Sequence, residues 1–480
     1  MIPLSLAEVA DAVGGGLADV PDPTVRVTAD VELDSRRIVP GGLFVALRGE
    51  RVDGHEHAAG AVAAGAAGVL AARPVGVPAV VVPDVQAALG ELASAVLARL
   101  PGLVVAGVTG SSGKTSTKDL LAQLLSRLGP TVAPPGSFNN ELGHPYTVLR
   151  STVDTRYLVL EYSARGIGHI AALARIAAPR VAAVLNVGSA HLGEFGSRAA
   201  IATAKGELIE ALPAAAGGGI AVLNADDPVV AAMAGRTAAR VVTFGESAGA
   251  SVRADEVRLD DTGRPGFRLV TPAGAATVQL GLYGAHHVLN ALAAAAIALE
   301  LGLPLADVAA GLAAAKPLSR WRMEVTERTD GVLVVNDAYN ANPESMRAAL
   351  TALRTMARAR RSWAVLGQMA ELGDGAAGEH DALGRFATGA GVDRLVVVGP
   401  EAAPTHAAAA ADGSWRGESV HVPDVAAAVR LLQEQVRPGD VVLVKASRAV
   451  GLERVAAALL AGPPAGSAGP AAGAAGGVAR

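Results

Sequence analysis

The chain has 480 residues, of which 51% are hydrophobic but only 3% aromatic, with no cysteine and a formal net charge of -4. That length is too great for a single core and predicts two to four domains, and the missing cysteines exclude a disulfide framework and thiolate metal sites. The slightly acidic balance argues against a protein held on nucleic acid by a broad basic field.

No apolar run is long and uninterrupted enough to span a bilayer: residues 61–72 are too few, and residues 290–315 are broken by Glu300 and Asp307. The N-terminus lacks the basic start and compact apolar stretch of a secretory signal, so a soluble cytoplasmic protein is expected. Short β-rich runs alternate with helical stretches for most of the length, which predicts parallel α/β layers. Near the N-terminus, residues 43–47, 68–71 and 79–82 read as strands, with an alanine-rich helix between the first two. A second block begins at Leu103 and carries strands over 157–161, 181–185, 220–223 and 241–244. Residues 251–280 alternate in polarity around Asp261-Thr262-Gly263 and predict an antiparallel excursion. A third block has strands over 332–335, 363–366, 395–398 and 441–444. Boundaries near Pro101 and near Lys316-Pro317 then give an α/β chain of three domains, 1–100, 101–316 and 317–461. The tail, 462–480, is almost all Gly, Ala, Pro and Ser and is expected to be disordered.

The stretch richest in chemistry is Gly107-Val108-Thr109-Gly110-Ser111-Ser112-Gly113-Lys114-Thr115. It follows an apolar run and precedes a helical pattern in which Leu120, Leu121, Leu124, Leu125 and Leu128 share a face until Gly129-Pro130 stops it. Strand, glycine-rich turn and a helix opening with Lys-Thr is the layout that cradles a nucleotide phosphate. Backbone N–H groups of Gly110, Ser111, Ser112 and Gly113 point inward, Lys114 supplies a point charge, and the Thr115 hydroxyl can ligate Mg²⁺. Val108 stands where the longer form of the motif would want glycine, which leaves the shorter Gly110-to-Thr115 form.

Further polar groups fall just beyond predicted strand ends, where α/β sheets place ligands. Glu161 ends one strand, Asn186 another, and His191 follows five residues later; then comes Ala204-Lys205-Gly206-Glu207 on a helical stretch. Each has a plainer alternative. Glu161 could be a solvated loop residue, His191 a surface or capping group, and Lys205 half of an ion pair on an exposed helix face.

Taken in this order, Gly110 to Thr115, Glu161, Asn186 to His191 and Lys205 resemble the central domain of the Mur ligases, ATP-dependent amide-forming enzymes of peptidoglycan biosynthesis. The resemblance runs through most of the chain. Gly284 to Ala291 is similar to the family's adenine segment, with His287 where Asn is common, so that only His286 and Asn290 carry over. Arg322-Met323-Glu324 and Lys445-Ala446-Ser447-Arg448 resemble motifs of the third domain. Asp337-Ala338-Tyr339-Asn340-Ala341-Asn342-Pro343, residues 137–145 with Asn139-Asn140, and residues 366–373 look like the branch that adds D-alanyl-D-alanine. Asp34-Ser35-Arg36 resembles the family's UDP-binding start. Tyr162-Ser163 departs from the pattern, where methionine is usual after the glutamate.

The resemblance implies a UDP-binding N-terminal α/β domain, a central P-loop parallel-sheet ATPase domain and a C-terminal Rossmann-like α/β domain. It implies ligation of D-alanyl-D-alanine to UDP-N-acetylmuramoyl-tripeptide through an acyl phosphate, with ATP and two Mg²⁺, by a protein expected to be a monomer. Cell-wall building, and with it cell shape and division, would be its setting. By the same resemblance Lys114 and Arg322 neutralise phosphate charge, and Thr115 with Glu161 serves one metal ion. His191 and a carbamylated Lys205 serve the other. Asp337 would meet the ribose and Asn290 the adenine; Ser35 and Arg36 would meet the uridine diphosphate. Asn139, Asn140, Tyr339, Asn340 and Asn342 would shape the substrate site. Competing expectations are another carboxylate–amine ligase of the superfamily, a nucleotide switch that hydrolyses ATP without ligating anything, and a catalytically silent paralogue.

Overall fold

The computed structural model describes residues 1–49, 52–190 and 192–462, so the expected disordered tail from 463 onward lies outside the described residues. The chain forms two compact units: Met1–Arg320 with Glu371–Asp374, and Trp321–Ala370 with the chain from Gly375 onward. The expected division near 316–317 falls four residues short of the break after Arg320. The expected division near 101 falls inside the first unit, where it separates two sheets.

The smaller of these sheets has five strands in the order Gly16–Ala18, Ala79–Val81, Gly68–Ala71, Leu43–Val45 and Val31–Glu32, parallel except at the first pair. The larger has nine strands. Its parallel part runs Arg240–Gly245, Ile220–Asn224, Val181–Val184, Val104–Thr109, Tyr157–Glu161 and Thr131–Val132. The predicted antiparallel excursion is there too. Val252–Leu259, Pro265–Thr271 and Gly274–Gln279 extend the same sheet, the last two pairs antiparallel.

The central strands are buried on both faces, which is why they read as unbroken runs of Val, Leu and Ala rather than as alternation. On one face lies the helix Lys114–Leu125, with Leu120, Leu121, Leu124 and Leu125 buried against Val108, Val159 and Leu185. Each such leucine contributes about 1.5–3 kcal/mol by leaving water. Helix His287–Glu300 packs beside it, and its run of buried alanines allows the close approach. The helix Arg198–Glu210 covers the opposite face through Ile201, Leu208 and Ile209.

The second unit holds one six-stranded sheet in the order Glu324–Glu327, Leu333–Asn336, Val441–Lys445, Ser362–Leu366, Arg394–Val398 and Glu418–Val422. Only the first pair is antiparallel. Sequence reading located four of these strands. It missed Glu324–Glu327 and Glu418–Val422, which are sheet edges too polar to read as buried runs. Among the described residues no helix is long and apolar enough to cross a membrane.

Candidate functional site

In the first unit the strand Val104–Thr109 sits between Tyr157–Glu161 and Val181–Val184, so the chain crosses over from it first to one side and then to the other. Ligands of parallel sheets collect at such a switch point, beyond the strands' C-terminal ends. Register brings those ends level: Glu161 pairs with Val108 and Val184 with Thr109. Gly110 to Gly113 turn away from that edge into the helix Lys114–Leu125.

The turn is held from beside it. The Asn186 side-chain oxygen accepts hydrogen bonds from the Ser111 and Ser112 amides at 3.0 and 2.9 Å, and its nitrogen donates to the Ser112 carbonyl at 3.2 Å. Ser111 Oγ accepts from the Gly188 amide at 2.9 Å, and Asp227 accepts from the Val187 amide at 2.8 Å. Gly113 has φ +82°, which a side chain resists, and a Cβ there would collide with the Asn290 side-chain oxygen. Asn290 thus abuts the glycine turn itself. Lys114 Nζ donates to the Gly110 carbonyl at 2.7 Å, arching over the loop. Gly107, by contrast, lies within the strand, where a Cβ would meet the Tyr162 ring at 2.9 Å. That accounts for the departure at Tyr162. Its ring is fully buried, its hydroxyl donates to the Ala177 carbonyl, and its own carbonyl accepts from Thr109 Oγ1.

Glu161 is fully buried, not a solvated loop residue. One oxygen, Oε2, accepts from Thr115 Oγ1 at 3.3 Å and from Asn139 Nδ2 at 3.2 Å. Among the described residues the other oxygen, Oε1, accepts no hydrogen bond. A buried carboxylate oxygen without a partner is costly. An orphaned oxygen beside a threonine hydroxyl therefore fits a hard cation, for which oxygen ligands are preferred. Ser137 adds a further hydroxyl, 2.7 Å from Thr115 Oγ1. Asn140, next to Asn139, instead uses its oxygen to accept from the Gly143 amide.

Lys205 is buried on helix Arg198–Glu210, not displayed on an exposed face. Among the described residues no carboxylate pairs with it, and the nearby Glu207 accepts from the Gly168 and Ala171 amides. Burial, reinforced by the Lys114 charge, pushes its pKa well below that of an ordinary lysine. His191 lies outside the described residues.

In the N-terminal sheet, Ser35 and Arg36 form a short 3-10 turn after Val31–Glu32. The Arg36 fork is taken up by Asp34 at 2.7–3.2 Å, which holds the Asp34 carboxyl down at about 2. No hydrogen bond or ion pair among the described residues joins either residue to the phosphate turn.

In the second unit the parallel strands end at Asn336, Lys445 and Leu366. Asp337 accepts from Lys445 Nζ at 2.6 Å and from the Met323 amide at 3.1 Å. Lys445 is buried and also donates to the Asn340 carbonyl, so Asp337 answers a buried charge whatever else it binds. Burial lowers the Lys445 pKa even though Asp337 raises it. The Arg322 guanidinium lies 4.2 Å over the Tyr339 ring. Asn340 accepts from the Ala341 amide, and Asn342 caps the helix Pro343–Ala357 in a capping box with Ser345. Sequence reading singled out Asn186 but not its bracing of the turn, and gave no role to Ser137 or Asp227, because each acts on a segment remote in the chain.

Residues 29–103 match the catalytic domain of the Mur ligase family, residues 108–298 the Mur ligase middle domain, and residues 321–448 the Mur ligase glutamate ligase domain. The UDP-N-acetylmuramoyl-tripeptide–D-alanyl-D-alanine ligase of Mycobacterium tuberculosis H37Rv is 55% identical over 97% of this chain and 99% of its own. The crystal structure of MurF from Acinetobacter baumannii superposes with a TM-score of 0.85 at 34% identity, covering 96% of this chain and 99% of that one. MurF from Thermotoga maritima, solved in complex with ADP, gives 0.76 at 32% identity, covering 91% and 98%.

Proposed function

The chain belongs to the Mur ligase family, and on that premise we propose how its own residues carry the family's chemistry. It is an ATP-dependent ligase that joins D-alanyl-D-alanine to UDP-N-acetylmuramoyl-tripeptide in peptidoglycan synthesis, in keeping with relatives named for that ligation. The observation that carries the residue assignments is the phosphate turn closed by Lys114 and Thr115 beside the buried, half-satisfied Glu161.

A carboxylate is a poor acceptor because oxide would have to leave. Moving the γ-phosphoryl group onto it gives an acyl phosphate with a good leaving group, which the dipeptide amine displaces. Lys114 and Arg322 are proposed to offset the anionic charge that gathers as phosphate meets carboxylate. Thr115 and Glu161 would hold Mg²⁺, which when bound neutralises phosphate charge and fixes its orientation. Asn186 keeps the turn in shape, and Asn139 holds Glu161 in place. Asp337, Asn290, Ser35 and Arg36 keep their expected ribose, adenine and uridine diphosphate roles. Asn140, Tyr339, Asn340 and Asn342 shape the surroundings of the substrate. Three domains, 1–100, 101–316 and 317–461, are part of this reading, as is a cytoplasmic monomer drawing on the ATP pool.

Lys205, with His191, is assigned to a second ion. An ammonium cannot ligate a cation, but a neutral amine that adds CO₂ and gives up a proton to solvent becomes an anionic carbamate. Deep burial without a carboxylate partner lowers the Lys205 pKa and so favours the neutral amine, the form that this addition requires. Protein prepared in ¹³C-bicarbonate should give a carbamate resonance that Lys205→Ala lacks, together with a loss of ligation of about a hundredfold or more. A normal rate in that variant would remove the assignment. The reaction is tested by phosphate release from ATP with tripeptide precursor and dipeptide added apart and together. Release that needs both, with the pentapeptide product seen by mass, is expected. Release that ignores the dipeptide would instead favour a nucleotide switch.

A further inference from the structure

One helical turn beyond Lys114 and Thr115, Lys118 and Asp119 are both buried, with 2% and 6% of their surface exposed. Neighbours in a helix do not face each other, so this ion pair forms only because both side chains turn into one crevice. Three segments meet there. Lys118 Nζ donates to Asp119, to the Pro134 carbonyl at 2.9 Å and to Ser319 Oγ at 3.5 Å, which uses all three of its hydrogens. Asp119 accepts in turn from the Ser319 amide at 2.9 Å. One turn further on, the Gln123 side chain both donates to and accepts from the Lys316 backbone at 3.0 Å.

Pro134 opens the loop that supplies Ser137 to Thr115 and Asn139 to Glu161. A buried pair of charges adds little stability over apolar residues of similar volume, but it does fix direction. Here it fixes the phosphate helix, the loop and the end of the first unit at one point. We infer that the Lys118–Asp119 pair is a positioning device for the metal-binding groups: it seats the loop Pro134–Asn139 so that Ser137 and Asn139 hold Thr115 and Glu161 in ligating geometry. This rests on the reading of Thr115 and Glu161 as metal ligands and adds the residues that set their geometry.

The double variant Lys118→Met/Asp119→Leu replaces the pair with apolar side chains and leaves no lone buried charge. Binding of adenylyl-imidodiphosphate is measured calorimetrically as Mg²⁺ is titrated, beside amide exchange of residues 137–140 in metal-free protein. The inference expects a normal melting transition, about a tenfold rise in the Mg²⁺ needed for half-maximal binding, and about tenfold faster loop exchange. A folded variant with unchanged Mg²⁺ response and exchange overturns it, since a purely structural pair would move neither. If the double variant does not fold, Asp119→Asn, which keeps shape and the Ser319 contact, decides. A rise of about threefold supports the inference and none defeats it. A wild-type protein whose nucleotide binding ignores Mg²⁺ would overturn the metal reading itself. Pentapeptide formation tests the ligase reading separately.

Discussion

Burial shifts the titration of more than one group around the phosphate turn. It lowers Lys205 far below an ordinary lysine, and it pushes the imidazole of His144 down to about 4 against a smaller upward pull from the Glu161 backbone. His144 is fully buried on the short helix Gly143–Val148, its ring edge-on to Tyr162 at 4.8 Å. The unfolded chain takes up that proton near 6.5 and the folded one only near 4. Folding stability therefore falls as pH drops through that interval, by roughly 3 kcal/mol in full. Urea unfolding at pH 7 and pH 5 should show the loss, and His144→Phe, which keeps an aromatic edge against Tyr162, should remove this part of the slope. His287 and His380, also lowered by burial, add to the slope that remains.

At the scale of elements, two helices begin in ways that can be tested separately. The phosphate helix starts from Gly113 in the left-handed region, with Asn290 filling the place of a side chain. Gly113→Ala should cost about 1–2 kcal/mol in thermal unfolding from backbone strain alone. It should weaken nucleotide binding further by displacing Asn290, so the loss of affinity should exceed what the drop in stability suggests. The helix Pro343–Ala357 starts from a side-chain cap, and Asn342→Ala should cost about 1 kcal/mol. If the asparagine serves mainly as a cap, kcat at saturating substrate should change little.

Across the whole molecule, the proposed nucleotide cradle and the Asp337–Lys445 cluster belong to different compact units. A ligand that binds the folded cradle stabilises the unit that carries it, by about 2.7 kcal/mol at a hundred times its dissociation constant. Amide exchange with magnesium and adenylyl-imidodiphosphate should slow most at residues 110–115 and in the strands beside them, 104–109, 157–161 and 181–184. Equal slowing throughout both units would show that they unfold as one.

What the sequence determined by itself is whatever depends on neighbours in the chain. The apolar runs of the central strands, the leucine face ending at Gly129-Pro130 and the Gly-Lys-Thr turn all follow from local sterics and periodicity. Hence the α/β class, the glycine turn into the helix Lys114–Leu125 and twelve of the strands, most of them to within a residue or two, were legible. Tertiary structure alone decided what those residues do for one another. Asn186 braces a turn 74 residues away, and Lys118 reaches Ser319 across 201. Whether Glu161 and Lys205 face water or the interior also follows from strand register and helix packing. Burial, which leaves one with an oxygen that accepts no hydrogen bond among the described residues and lowers the pKa of the other, depends on everything packed around a group and so has no local signature.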